Sequence, residues 1–527
     1  MEPPNKSHVR KAILPFACGL WLLSVAALAI DTTELARYIE DARLAWRIPG
    51  LAVGIVKDGR VVLSRGFGLR HHSSGDPVDE NTLFAVASNT KAFTAATLAI
   101  LVDEGRLNWA DRVRDHLPYF QLYSPCVSEA FTVEDLLCHR SGLATFSGDL
   151  LWYETSYGTV EIIRRARFLR PVFPFRAGYG YSNILYLAAG EVVAAVSGQP
   201  WTAFVRERIF KPLSMTRTRI GIQGLEGVDN VAQPHWVSPE GEVTTVPHTT
   251  SDRIASAAGI VSCVRDMTRW LQMLLDEGRY EDGAVLSGEA ISALWTQHNA
   301  LPVGQAHREL FPDTHFRGYG LGWGMEDYRG RKILGHSGAL DGMISRVTLV
   351  PEEKLGLVIL TNSINGLPRA LSYRIVDTVL GTPSRDWSGV FLAKSREKDS
   401  RRRADKKAEA SLQTDTKAKR PPLDEYTGEF LDRMYGEARV TRKGSGLVLH
   451  FVPTPRFVSD LSWSHHDVFH LKLRHDFSFI PAGTGRVQFL RDMDGRVAGM
   501  RIDIPNDDFL FHELDFKKMA SHGTEHP

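Results

Sequence analysis

The stretch FAVASNTKAF, residues 84–93, sets Ser88 three positions before Lys91, with apolar residues on both sides. It opens a longer run, VASNTKAFTAATLAILVDEG, rich in Ala, Leu and Thr and free of Pro. That composition predicts a largely buried helix. Residues three apart share a helix face, about 5–6 Å between Cβ atoms, so the lysine amine reaches the serine hydroxyl. A serine hydroxyl is a weak nucleophile until a base takes its proton. Lysine serves as that base only when burial or a neighbouring cation lowers its pKa from about 10.4. An apolar helix offers that setting. The spacing alone fits a capping serine and a solvated lysine equally well, so other residues must decide.

Two further stretches bear on it. In FRAGYGYSNILY, residues 175–186, Tyr181 and Asn183 flank one serine at a helix start, after a Gly-rich loop. In GHSGALDG, residues 335–342, His336 and Gly338 sit on an expected edge-type strand and Ala339 follows. Acyl transfer by a serine needs a base, a proton relay to the leaving group and an oxyanion hole. A Tyr beside a Lys shares the proton work, because a cationic neighbour pulls the phenol pKa down from about 10. An Asn holds a substrate amide or orders the Lys. A Gly-bordered strand lets substrate lie against the backbone, and the N–H groups of Ser88 and Ala339 are placed to hold the oxyanion.

Ser88-x-x-Lys91, Tyr181-x-Asn183 and His336-x-Gly338, in that order, resemble the three motifs of the serine β-lactamase and penicillin-binding-protein superfamily. Tyr at the head of the second motif is similar to the class C β-lactamase branch, with its DD-peptidases, D-aminopeptidases and family VIII carboxylesterases. GRLNWADRVRDHLP, TVEDLLCHRSGL, YGYSNILYLAAGEVV and YGLGWG add to the likeness, which covers roughly 35–380. It implies Ser88, Lys91 and Tyr181 as catalytic residues. Asn183, His336, Gly338 and Ala339 bind substrate, and the amides of Ser88 and Ala339 form the oxyanion hole. It implies a serine hydrolase cleaving an amide or ester, in a D-amino-acid peptide, a β-lactam or a small ester, through a Ser88 acyl-enzyme. A family VIII-type carboxylesterase is the first alternative. A non-catalytic binding or assembly protein that keeps the fold is the second. One departure stands out: His336 replaces the usual lysine of the third motif, exchanging a permanent cation for a group that ordinarily titrates near 6.5. His139 and Cys138 in LLCHRSGL read as a structural corner. Trp152 and Tyr153 are placed by the family layout in a helical insertion that could line the cleft.

The expected fold is α/β (α+β): a β-lactamase/transpeptidase-like antiparallel sheet flanked by helices, with a helical insertion. LAVGIVKDGRVVLSRGFGLR from 51 alternates around a Asp58-Gly59 hairpin turn, and ILGHSGALDGMISRVTLVPEEKLGLVILTNS at 333–363 reads as three strands. SNILYLAAGEVVAAVSG and SCVRDMTRWLQMLLDEG read as helices. Residues 30–390 form the hydrolase domain and 391–422 a charged linker, KSREKDSRRRADKKAEASLQTDTKAKRPP, which reads as a linker or a solvated helix. Residues 423–517 read as a small all-β barrel or sandwich without a catalytic motif, outside the chemical step.

The 527 residues carry a net charge of +1, which gives no reason to expect nucleic acid. No metal-ligand spacing or phosphate loop is present, so no metal and no cofactor is expected. The partner is a small-molecule or peptide substrate, with a peptidoglycan-derived one in view. Residues 1–29 combine a basic start, an apolar run and ALA at 27–29. They read as a signal peptide, which implies a secreted or periplasmic protein, with a membrane anchor as the alternative. Beyond that leader lie Cys126, Cys138 and Cys263; an odd count leaves a free thiol, and a Cys126–Cys138 pairing stays open.

Overall fold

The computed structural model describes residues 30–410, 422–475, 477 and 483–520, except 239, 249, 250, 282, 341 and 384. The leader at 1–29, the stretch 411–421 of the charged segment and most of an expected strand at 477–481 lie outside the described residues.

A nine-stranded antiparallel sheet organises the larger part. Strand Gly50–Lys57 turns through Asp58 and Gly59, both with positive φ, into Arg60–His71. That conformation suits the Asp-Gly pair of a tight hairpin. Strands Arg331–Leu340, Met343–Val350 and Leu355–Thr361 form a meander. The chain ends meet where Leu51 pairs with Thr361 and Lys57 with Leu355. Gly50–Lys57 and Leu355–Thr361, at the centre, are apolar and buried almost throughout, because helices cover both sides. Helices Thr32–Ala45 and Leu367–Val379 cover one face, where Trp387 joins the core at the start of helix Trp387–Ala410. The charged segment therefore begins as a helix. Helix Val264–Leu275 lies on the other face, and the central helices Thr90–Asp103 and Asn183–Ser197 pack against each other in the same core.

Thr90–Asp103 is buried on every side from Thr90 to Leu101. Phe93 stacks on Trp270 at 4.1 Å and meets Phe210 edge-on. Ser88 itself lies just before this helix, in a 3-10 turn at Ala87–Asn89. All three described cysteines are free, so Cys126 and Cys138 do not pair. Among the described residues, no helix is long and apolar enough to cross a membrane.

The C-terminal strands, from Gly428–Asp432 to Phe516–Lys518, close into an eight-stranded barrel. Its interior is filled by Tyr426, Phe430, Tyr435, Phe451, Phe489 and Phe516. The barrel is not set apart from the hydrolase unit. Trp152 and Tyr153 pack into this junction. Tyr153 packs 4.6 Å from Phe509 and near Phe457 and Phe477, and Trp152 lies 5.8 Å from Phe509. The Ser156 N–H donates to Pro453 O at 2.8 Å, the Tyr157 hydroxyl to Tyr435 O at 2.8 Å and Arg165 to Met434 O at 2.7 Å. One continuous apolar core runs through both parts.

Tyr153→Ala should remove the central anchor of this junction. Deleting a buried aromatic costs about 3–5 kcal/mol, and urea unfolding followed by tryptophan fluorescence should show that loss. A variant within about 0.5 kcal/mol of the parent would show the junction to be a loose contact.

Candidate active site

Strand Phe84–Ala85 enters the 3-10 turn through Ala87, whose φ of 47° is unusual for a residue with a Cβ. Strained backbone of this kind clusters where a fold fixes a functional side chain. The turn leaves Ser88 partly accessible and sends Lys91 one turn inward, where it is fully buried. Lys91 Nζ lies 2.7 Å from Asn183 Oδ1, 3.0 Å from Ala257 O and 3.3 Å from Ser88 Oγ. The first two partners can only accept. A neutral amine spends its two N–H groups on them and turns its lone pair to the serine hydroxyl. Burial lowers the Lys91 pKa to about 7, with Asp149 opposing the shift. The amine is therefore largely free of its proton just above neutrality.

Asn183 opens helix Asn183–Ser197, which Ser182 caps by accepting the Leu185 N–H. Its Oδ1 takes Lys91, and its Nδ2 donates to Asp149 Oδ2 at 2.7 Å. Asp149 is buried, and burial raises its pKa to about 8, with Asn183, Trp152 and Lys91 pulling the other way. Nothing in the sequence pointed to it. It sits in a 3-10 turn, Asp149–Leu151, behind the left-handed Gly148, and only the fold carries it to Asn183.

The Tyr181 phenol is bonded to Ser88, and its ring lies 4.8 Å from Lys91 Nζ. Burial drives its pKa well above 10, against the sequence expectation of a lowered phenol. Desolvation outweighs the cation because the cation itself is mostly discharged. Tyr181 thus stays a phenol with a proton to donate, while the Lys91 amine is the group able to accept one. His139 packs 4.3 Å from the Tyr181 ring and accepts the Ser182 N–H on Nδ1 at 3.2 Å, which places its proton on Nε2. It orients the second motif. Burial raises the Cys138 thiol to about 12, so it stays inert.

The third motif lies on Arg331–Leu340. Residues 336–340 pair only with Met343–Val350 among the described residues, so their other edge is unpaired. A Cβ on Gly338 would come within 2.3 Å of Val86 O and 2.7 Å of Ser88 N, so only glycine lets this strand lie against the nucleophile turn. Ala339 follows on the exposed side. His336 donates from Nδ1 to Ser337 O at 2.7 Å, and its Nε2 sits 2.9 Å from the Tyr319 hydroxyl. Burial and the Lys91 charge push its pKa down to about 3. The shift runs the way a neighbouring Lys91 charge pushes an imidazole, well below its ordinary value, with burial as the larger cause, and His336 is neutral through the physiological range. Ser337 O fixes the tautomer by accepting the Nδ1–H, and Tyr319, in the YGLGWG string, meets the Nε2 side, a contact that the string alone did not disclose.

A serine, a buried lysine and a tyrosine, held between helices and the unpaired edge of an antiparallel sheet, define the β-lactamase/transpeptidase-like class. The Beta-lactamase family model matches residues 35–379, and this chain belongs to that family. A domain of unknown function, DUF3471, matches 413–518. Unguisins hydrolase ungD of Aspergillus violaceofuscus is 28% identical over 375 residues, 67% of this chain and 65% of that protein. The chain thus spans just under two thirds of that relative's length. The octameric penicillin-binding protein homologue from Pyrococcus abyssi superposes with a TM-score of 0.61 at 21% identity, covering 93% of this chain and 100% of that one. The D-amino acid amidase from Ochrobactrum anthropi SV3 gives 0.54 at 24% identity, covering 66% and 98%. These two likenesses concern the fold.

Asp149→Asn keeps the shape and removes a carboxyl whose ionised form favours protonated Lys91; with Asp149 raised to about 8, that form is the minority one where Lys91 titrates. The Lys91 pKa should fall a little further, so the acidic limb of the rate at which a fluorophosphonate labels Ser88 should move slightly to lower pH. A limb that stays in place or moves up would show that Asp149 does not act on Lys91 by charge.

Proposed function

We propose that this protein is a serine hydrolase that opens an amide or ester bond through a Ser88 acyl-enzyme. The observation that carries the reading is the Lys91 nitrogen, with two acceptors on its N–H groups and the Ser88 hydroxyl on its third side. Ser88 Oγ attacks the carbonyl carbon and its proton passes to Lys91. The oxyanion meets the N–H groups of Ser88 and Ala339. On collapse the leaving group takes a proton from Tyr181, which Lys91 restores. Water enters, gives its proton to the same pair, and releases the acid and free Ser88.

The substrate class follows from His336. A neutral imidazole at the third-motif position offers no fixed charge to a carboxylate. We read the preferred substrates as amides or esters without a carboxylate, D-amino-acid amides among them, in keeping with the amidase that shares the fold. The same observation favours a carboxylesterase as the second reading. Hydrolysis of p-nitrophenyl butyrate, a D-Ala amide and nitrocefin separates these, and a fluorophosphonate reports the nucleophile. A folded chain that takes no label and turns over none of the three would leave a binding protein as the better reading.

Ser88→Ala and Lys91→Ala should each lower turnover by about 10³-fold or more, because nucleophile and base act as one unit. Either variant keeping most of the activity would sink the mechanism. The nitrocefin-to-ester ratio of kcat/KM should stay flat from about pH 5 to about pH 9, since His336 does not titrate there. His336→Lys should raise that ratio. A ratio that climbs in the parent enzyme as pH falls through about 6.5 would mean that His336 gains a proton after all.

A further inference from the structure

The barrel reaches the reaction centre through one turn of chain. Glu513 lies in the barrel-side 3-10 turn Phe511–Glu513. Its Oε1 accepts the Ser147 hydroxyl at 2.5 Å and its Oε2 accepts the Gly148 N–H at 2.9 Å. Both donors immediately precede Asp149. Gly148 is left-handed, with φ 76°, and a Cβ there would fall within 2.8 Å of Leu169 and Ile184, so the turn has little room to shift. Just past Asp149, Trp152 and Tyr153 rest on Phe509 of the barrel. The barrel therefore grips the Asp149 turn from both sides. From there bonds run from Asn183 Nδ2 to Asp149, from Lys91 to Asn183 Oδ1, and between Lys91 and Ser88.

We infer that Glu513 is a positioning residue of the active site, clamping the Asp149 turn so that Asn183 and Lys91 keep their places and water stays out. The inference rests on the reading of Lys91 as the base for Ser88. It replaces the expectation that the C-terminal domain stands outside the chemical step. A carboxylate suits the clamp because it accepts two bonds at once, where a small side chain would leave a hydroxyl and an amide without partners. Opening the turn would hydrate Lys91 and displace Asp149. Hydration raises the Lys91 pKa and loss of the carboxylate lowers it; burial is the larger of the two influences, so the net shift is upward. The groups facing this centre are Tyr181 and Tyr186 over the amine, with His139 and His336 neutral beside it. Asp508 of the barrel bears on Asp149, and His512 and Asp432 bear on Glu513.

The test follows phosphonylation of Ser88 by a fluorophosphonate in the full chain, from about pH 5 to about pH 9. Glu513→Ala should slow labelling by about tenfold to 10²-fold, the upper figure being the cost of a 1 Å misplacement, and move the acidic limb to higher pH. That direction is opposite to Asp149→Asn, which separates an opened turn from a lost charge. Glu513→Gln keeps one good acceptor and should recover most of the rate. Arg456→Ala breaks the Arg456–Glu154 ion pair at the same junction, away from the Asp149 turn, and should leave the limb where it is. If Glu513→Ala fails to fold, Ser147→Ala, which removes one of the two bonds, should give the same upward shift on a smaller scale. A folded Glu513→Ala with parental rate and limb overturns the inference, as does an equal shift from Arg456→Ala. A parent chain that takes no label overturns the acyl-enzyme reading itself. A labelled parent with an indifferent Glu513 overturns this inference alone.

Discussion

Everything at this site depends on one nitrogen. Lys91 Nζ is fully enclosed, and an amine out of water must have its hydrogen-bonding directions met or lose several kcal/mol. Asn183 Oδ1 and Ala257 O meet two of them. The third faces Ser88. The same enclosure that demands partners also discharges the ammonium, because burial disfavours the charged form. Satisfaction of the amine and its activation as a base are thus one physical event. The walls that enclose it are the apolar helix Thr90–Asp103, the rings of Tyr181 and Tyr186, and the Asn183–Asp149 pair.

Those walls come from three parts of the chain far apart in sequence. The sheet brings Gly338 against the nucleophile turn, and only a residue without a Cβ allows that approach. The helix Asn183–Ser197 brings Tyr181 and Asn183. The segment around Asp149 brings the remaining carboxylate and is itself held by the barrel. Asp149 rises to about 8 and Lys91 falls to about 7 by the same burial. Their charges partly offset each other, so their proton balance responds to anything that admits water. The barrel junction is such a thing, since Tyr153 and Trp152 seal it against Phe509.

The residues legible in the sequence were those whose chemistry is marked by local spacing. Ser88 and Lys91 sit one turn apart, and Tyr181 and Asn183 flank a helix cap. Gly338 borders a strand, and each of these lies where the spacing suggested. The hairpin at Asp58-Gly59 and the meander from Arg331 to Thr361 were equally plain, because turn residues and alternation are local signals. The electrical state of those residues was not legible. Tyr181 was expected to acidify and is instead pushed up. His336 is driven to about 3 mainly by burial, a larger influence than the Lys91 charge beside it. Both shifts come from desolvation, which depends on what packs around a side chain from every direction. Trp152 and Tyr153 were read toward the cleft and lie in the barrel junction, because nothing local tells a buried aromatic which neighbour will cover it.

The sequence by itself determined the identity and order of the three motifs that the fold gathers, the strands and helices that carry them, and a C-terminal all-β unit. These follow from short-range rules: the period of a helix, the geometry of a tight turn, the reach of one side chain to another one turn away. The tertiary structure alone decided the protonation states, the entry of Asp149 and Tyr319 into the site, the closure of the C-terminal strands into a barrel, and that barrel's grip on the Asp149 turn. Contacts such as Glu513 with Gly148 join residues more than 360 positions apart. No local pattern encodes them, because they exist only once the whole chain has packed and water has been expelled between its parts.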